Sequence, residues 1–132
     1  MRTLIALLIG LAAGVLLTVI AMNTLRKANA YPFGVMAVLA AQMGHIDRQI
    51  EARACTAADF EAPLATLVAL GNDLEPAFLP TADDAAFSRY AADYRLAVES
   101  MLAAEPADCA AAERALDAVS ASCQACHAQF KG

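Results

Sequence analysis

The chain has 132 residues, enough for one domain with a buried core but not for two. It is 60% hydrophobic and 17% charged, lacks Trp and is rich in alanine, which favours helices over sheet. From Tyr31 onward six basic side chains face fourteen acidic ones, a formal charge of -8 (6 - 14), which excludes the basic face that nucleic-acid binding needs.

The first element is an apolar run. "TLIALLIGLAAGVLLTVIAM", Thr3 to Met22, holds twenty residues without a charge, with Arg2 before it and Arg26-Lys27 behind it. A helix of that length rises about 30 Å, enough to cross a bilayer core. A secretory signal has a shorter apolar stretch, about 7–15 residues, and a small-residue cleavage site. Here two basic residues intrude before the one tidy A-x-A, Ala28-Asn29-Ala30. Residues 1–30 therefore read as an uncleaved membrane anchor and linker, with a cleaved signal as the alternative. Either way residues 31–132 are exported. They sit in the periplasm on the outer face of a bacterial inner membrane, or are soluble there after cleavage.

Beyond the linker, hydrophobic residues recur at helical spacing in four stretches. The first has Met36, Leu39, Met43, Ile46 and Ile50, and the second Phe60, Leu64, Leu67 and Leu74, with Gly71 filling the missing place. The third has Phe87, Tyr90, Tyr94, Val98 and Met101, and the fourth Leu116, Val119, Cys123, Cys126 and Phe130. Each stripe needs partners to bury it. Thr56 with Asp59, and Thr81 with Asp84, have helix-start spacing. Pro63 comes late for a first turn, so the second helix is expected to begin near Ala62 or to kink. "EPAFLPT" (Glu75 to Thr81) and "AAEPADC" (Ala103 to Cys109) read as connections. The fold class expected is all-α: an antiparallel up-down-up-down four-helix bundle over 31–132, preceded by one transmembrane helix. That topology puts Met36 at the same end as the last turns of the fourth helix. It puts Cys55 and Cys109, in the first and third connections, together at the other end.

The chain closes on "ASCQACHAQFKG", and C-x-x-C-H is the attachment sequence for c-type haem. On a helix the thiols of Cys123 and Cys126 lie about a turn apart, suiting thioether bonds to the two vinyl groups of one macrocycle. His127 then supplies the proximal iron ligand. A thioredoxin-like dithiol would instead sit where a strand meets a helix. A structural zinc site would need two further ligands at similar spacing, and Cys55, Cys109 and His45 are scattered. Covalent haem c is the reading these constraints leave.

With that motif ending a four-helix pattern, the sequence resembles the cytochrome c′ family, the class II c-type cytochromes, from about Tyr31 to Lys131. "SCQACHAQFK" is similar to the family's last helix, in which an aromatic and a basic residue follow the motif, here Phe130 and Lys131. "VMAVLAAQMG", Val35 to Gly44, is similar to the first-helix pattern. The resemblance implies that Met36 faces the distal side of the haem and that Lys131 lies near the proximal face. It also implies homodimers, which are common in the family. Where family members often carry an Arg near the haem propionates, this chain has Pro32, so Arg26 or Lys27 is left to serve them, or water.

Met36 as distal iron ligand thus rests on bundle geometry and on the resemblance. Met43, seven residues on, reads as core, and His45, half a revolution from Met36, as solvated. Phe60, Phe87, Tyr90 and Tyr94 read as core aromatics, some lining the haem. An exported chain permits a Cys55–Cys109 disulfide. The expected function is electron transfer through a haem with His127 and Met36 as axial ligands, the acidic domain docking on partners with a positive surface. The alternative is a five-coordinate haem that binds nitric oxide or carbon monoxide as sensor or scavenger. No acid or base stands beside Met36 in "FGVMAVL", so an enzymatic use of the iron is not expected.

Overall fold

A computed structural model of the chain describes residues 2–79, 81, 84–104 and 108–130, without the side chains at 2, 4–6, 8 and 25–29. Four helices carry the fold: α1 (Arg2–Glu51), α2 (Ala57–Ala77), α3 (Ala85–Ala104) and α4 (Cys109–Phe130). No strand occurs among the described residues. The molecule divides into two units, Met1–Phe33 and Gly34–Gly132. The sequence reading set that divide at 30/31 and expected a linker before the first bundle helix. Instead the helical assignment runs through Asn23–Tyr31, and Pro32 lies inside α1. Pro32 has no N–H to give the preceding turn, and Gly34 is a poor helix former, so the divide falls where helical bonding is weakest.

In the first unit, Leu7, Ile9, Leu11, Leu16 and Leu17 are each more than 60% exposed. Among the described residues no helix is long and apolar enough to cross a membrane.

The second unit is a helical bundle. Its boundaries follow from local chemistry. The Thr56 N–H and hydroxyl both donate to the Asp59 carboxylate, at 2.8 and 2.6 Å, and start α2 at Ala57. These two bonds hold Asp59 below its ordinary carboxylate pKa, the hydroxyl contributing most. The expected start near Ala62 is therefore wrong: the cap fixes the first turn, and buried Pro63 is carried within the helix. For α3 the cap is Asp84, whose Oδ1 accepts from the Ala86 N–H at 2.7 Å, so Asp84 acts as the first residue of the signal rather than its fourth. Asp108 caps α4 in the same way, through the Ala111 N–H at 2.7 Å. The bundle part of α1 ends with Ala54 N–H bonded to Gln49 carbonyl and Arg53 N–H to Ile50 carbonyl, a Schellman closure. Arg53 supplies its left-handed residue, at φ 60°.

Steps of three and four build one core. Phe60, Leu64, Leu67 and Leu74 of α2 meet Phe87, Ala91, Tyr94, Val98 and Met101 of α3. Ala112, Leu116 and Val119 of α4, and Val35, Leu39, Ile46 and Ile50 of α1, complete it. Contacts fix the directions. Tyr94 bonds to Leu67 while Phe87 stacks near Phe78, so α2 and α3 run antiparallel. Phe87 and Tyr90 both meet Phe130 edge-on, at 5.4 and 6.0 Å between ring centroids, at the opposite ends of α3 and α4. At the far end Cys55 and Cys109 are joined by a disulfide across 54 positions. By chain entropy such a link contributes about 4 kcal/mol.

Candidate functional site

At the end of the bundle away from the disulfide, the core gives way to a cavity. The stripes continue there, but Met36, Met43, Tyr90, Cys123 and Cys126 are only half-buried. A mostly apolar cavity of about 370 Å³ opens between all four helices. Its α1 wall is Met36, Leu39, Ala40 and Met43, and its α4 wall Ser120, Ser122, Cys123, Cys126 and His127. Phe87, Tyr90, Ala91 and Tyr94 line it from α3, and Leu74 from α2. The volume falls in the ordinary range for small-molecule and cofactor sites, about 300–1,000 Å³.

The candidate site residues thus come together. Met36 lines the same cavity as Cys123, Cys126 and His127, from a different helix. Both cysteines are free thiols. Burial pushes the Cys123 thiol above its ordinary pKa, against the lowering effect of the Ser122 hydroxyl and of its own backbone. Cys126 is raised as well, by burial and then by the neighbouring Cys123. Both sulfurs therefore sit protonated at neutral pH, a poor state for a dithiol that works by thiolate attack.

Met43, expected in the core, packs against it and also lines the cavity one heptad along α1 from Met36. Tyr90, expected among core aromatics of which some line the haem, stands half-buried on the cavity wall, while Ala91 is buried. Ser120 and Ser122 were not anticipated; Ser120 lies three residues before Cys123, on the same helix face, so the spacing already carried the signal. Phe60 is fully buried in the core and His45 is exposed, its Nε2 lying 3.3 Å from Gln49 Nε2. Lys131, and the side chains of Arg26 and Lys27, lie outside the described residues.

A bare metal ion does not suit this donor set. No three His, Cys, Asp or Glu side chains converge to hold one among the described residues. A haem asks for less, because it brings its own ring of nitrogens and needs only axial ligands and thioether partners from the protein. The paired thiols and imidazole on one wall, with a thioether sulfur on another, fit that requirement. The chain matches no protein-family model, no curated protein and no solved structure.

Proposed function

We propose that this chain is a c-type haem protein of the cytochrome c′ kind that transfers electrons at the outer face of a bacterial inner membrane. The carrying observation is the cavity that joins Met36 to Cys123, Cys126 and His127.

In this reading Cys123 and Cys126 would hold the macrocycle through thioethers, and His127 and Met36 would be its iron ligands. When bound, the haem supplies a ferrous–ferric couple. The chain's own residues set the conditions for it. Phe87, Ala91, Tyr94, Leu39 and Leu74 exclude water, so little solvent has to reorganise when charge changes. A thioether sulfur from Met36 raises the reduction potential, as axial Met does in cytochromes c. No lysine or arginine lines the cavity among the described residues; Tyr90, Tyr94, Ser120 and Ser122 bring neutral hydroxyls to it. The formal charge of -8 (6 - 14) beyond residue 30 gives a salt-sensitive attraction to a positively charged redox partner.

The uncharged run from Thr3 to Met22 is proposed as the anchor. Its exposed leucines and isoleucine have the all-round apolar character that suits lipid rather than water. Tethering raises the local concentration of partners without any new contact.

Protein matured in a haem-loading host tests the reading. The intact mass is expected to exceed the chain by one haem, and the ferric spectrum to be low-spin with a sulfur-to-iron charge-transfer band. A colourless chain of unmodified mass would remove the haem reading. A haem adduct with a high-spin spectrum and avid carbon monoxide binding would turn the assignment to gas binding. A mature chain beginning at Tyr31 would replace the anchor with a cleaved signal.

A further inference from the structure

The two walls of the cavity that face each other chemically belong to helices far apart in sequence. Met36 stands on α1, and Cys123, Cys126 and His127 on α4. The chain ties α1 to α2 and α3 to α4 by short connections, and among the described residues a disulfide ties the end of α1, through the connection that follows it, to α4. Cys55 lies four residues past the last residue of α1, and Cys109 is the first residue of α4. The disulfide between them therefore ties the α1–α2 connection to the first residue of α4, about 20 Å from the motif along α4 at 1.5 Å per residue.

Other features leave α1 dependent on that staple. The side-chain hydrogen bonds of Tyr94 and Arg95 join α3 to α2 and do not touch α1. Near the cavity α1 is weak in itself, since Pro32 and Gly34 immediately precede Met36. Val35, Leu39, Ile46 and Ile50 hold α1 on the bundle by apolar packing. A methionine sulfur would have to be held within bonding reach to ligate an iron, so a small outward movement of α1 would withdraw it. Both cysteines of the staple are only half-buried, within reach of a reductant.

We propose that the Cys55–Cys109 disulfide positions the axial sulfur: it holds α1 against α4 so that Met36 reaches iron ligated by His127, and its reduction frees that side for a diatomic ligand. This rests on the haem reading above. The reductant is an external dithiol. The Sγ–Sγ bond breaks, each sulfur takes one electron and one proton, and the dithiol gives up two of each and closes to its own disulfide. The thiol state of the far end then selects between electron transfer and gas binding.

The test compares the ferric and ferrous holoprotein with the double variant Cys55→Ser, Cys109→Ser. The variant is expected to keep its helix content, lose the sulfur-to-iron band at temperatures where the parent retains it, and bind carbon monoxide about tenfold more tightly when ferrous. Amide hydrogen exchange over residues 34–51 is expected to quicken. Should the variant not fold, the parent serves alone. Ascorbate reduces the iron but spares the disulfide, whereas dithiothreitol reduces both, and thiol titration counts the difference. Carbon monoxide binding that tightens only with the dithiol supports the proposal. A band and an affinity unchanged within about twofold after the disulfide opens overturn the positioning role alone. A disulfide-bonded haem adduct with no such band at all overturns Met36 ligation, and the positioning role with it.

Discussion

The Tyr94 hydroxyl donates to the Leu67 carbonyl at 3.1 Å, bringing a buried ring of the cavity wall under the control of a backbone atom on α2. Burial raises the Tyr94 pKa well above its ordinary value, with a smaller contribution from the nearby Cys123 sulfur. A raised pKa keeps the neutral phenol in the fold, so its stabilisation is complete below the unfolded value of about 10 and is lost as pH rises beyond it. Tyr94→Phe is expected to cost about 1 kcal/mol, the net value of one hydrogen bond, and to make the alkaline loss of stability shallower. Denaturant midpoints at neutral pH and at increasing alkalinity measure both.

Gly71 holds the same ring in place from beneath. A Cβ there would come within 3.1 Å of the Tyr94 ring and of the Arg95 side chain, while Gly71 carbonyl accepts from the Arg95 guanidinium at 3.2 Å. In an open helix Gly→Ala would gain about 1 kcal/mol. Here the ring is buried and tethered at its hydroxyl, so it cannot give way, and overpacking of about 1–3 kcal/mol decides the sign. Gly71→Ala is expected to lower the melting temperature and to disturb absorption of a group bound in the cavity; a higher melting temperature would show that α2 and α3 separate easily.

How much of this was readable beforehand follows the same physics. The stripe Phe60, Leu64, Leu67, Gly71, Leu74 was legible because steps of three and four are imposed by helix geometry whatever the neighbours are. The gap at Gly71 was visible too, but its reason, a tyrosine from another helix, was not. The extent of the cavity was not legible for a related cause: periodicity names the inward face, on which Met43 and Tyr90 lie, and cannot say where that face stops meeting side chains and meets a cavity. The Thr56–Asp59 spacing marked the start of α2, because two short hydrogen bonds determine the first turn locally, and Pro63 does not delay it to Ala62. Continuation of α1 through residues 23–31 left no mark in the apolar pattern, since that segment presents no stripe.

The Asp59 carboxylate gives the fold a component of acid sensitivity. Its pKa is lowered in the folded state by the Thr56 hydroxyl first and the Thr56 N–H second. A depressed pKa means that the stabilisation is present above the unfolded value, about 3.9, and disappears as pH falls through the lower folded one. Asp59→Asn is expected to remove part of the stability at neutral pH and to flatten its decline below about pH 4. Parallel acid titrations followed by circular dichroism check this; identical slopes would mean that the cap contributes nothing through its charge.

At the other end of the bundle part of α1, Arg53 occupies a left-handed backbone conformation with φ 60°. The Cβ of an L-residue costs roughly 1–2 kcal/mol there, and glycine would return about half of that gain as chain entropy. Arg53→Gly is therefore expected to stabilise the protein by about 0.5–1 kcal/mol. The side chain is exposed, so no packing is lost. A higher denaturant midpoint at an unchanged slope is the expected reading.

The two methionines of the α1 wall separate ligation from packing. Met36 and Met43 both line the cavity, one heptad and about 10 Å apart along the helix. Opposite them α4 runs the other way, since Cys55 meets Cys109 at one end while Met36 and His127 share the cavity at the other. Met36 therefore lies nearer the level of His127, and Met43 nearer that of Ser120. Met36→Ala in the haem-loaded protein is expected to abolish the sulfur-to-iron band and open the ferrous iron to carbon monoxide. Met43→Ala is expected to keep the band and to cost about 1–2 kcal/mol, less than a fully buried methionine because the residue is half-exposed. The reverse pattern, a band that survives Met36→Ala and is lost with Met43→Ala, would move the axial sulfur one heptad along α1.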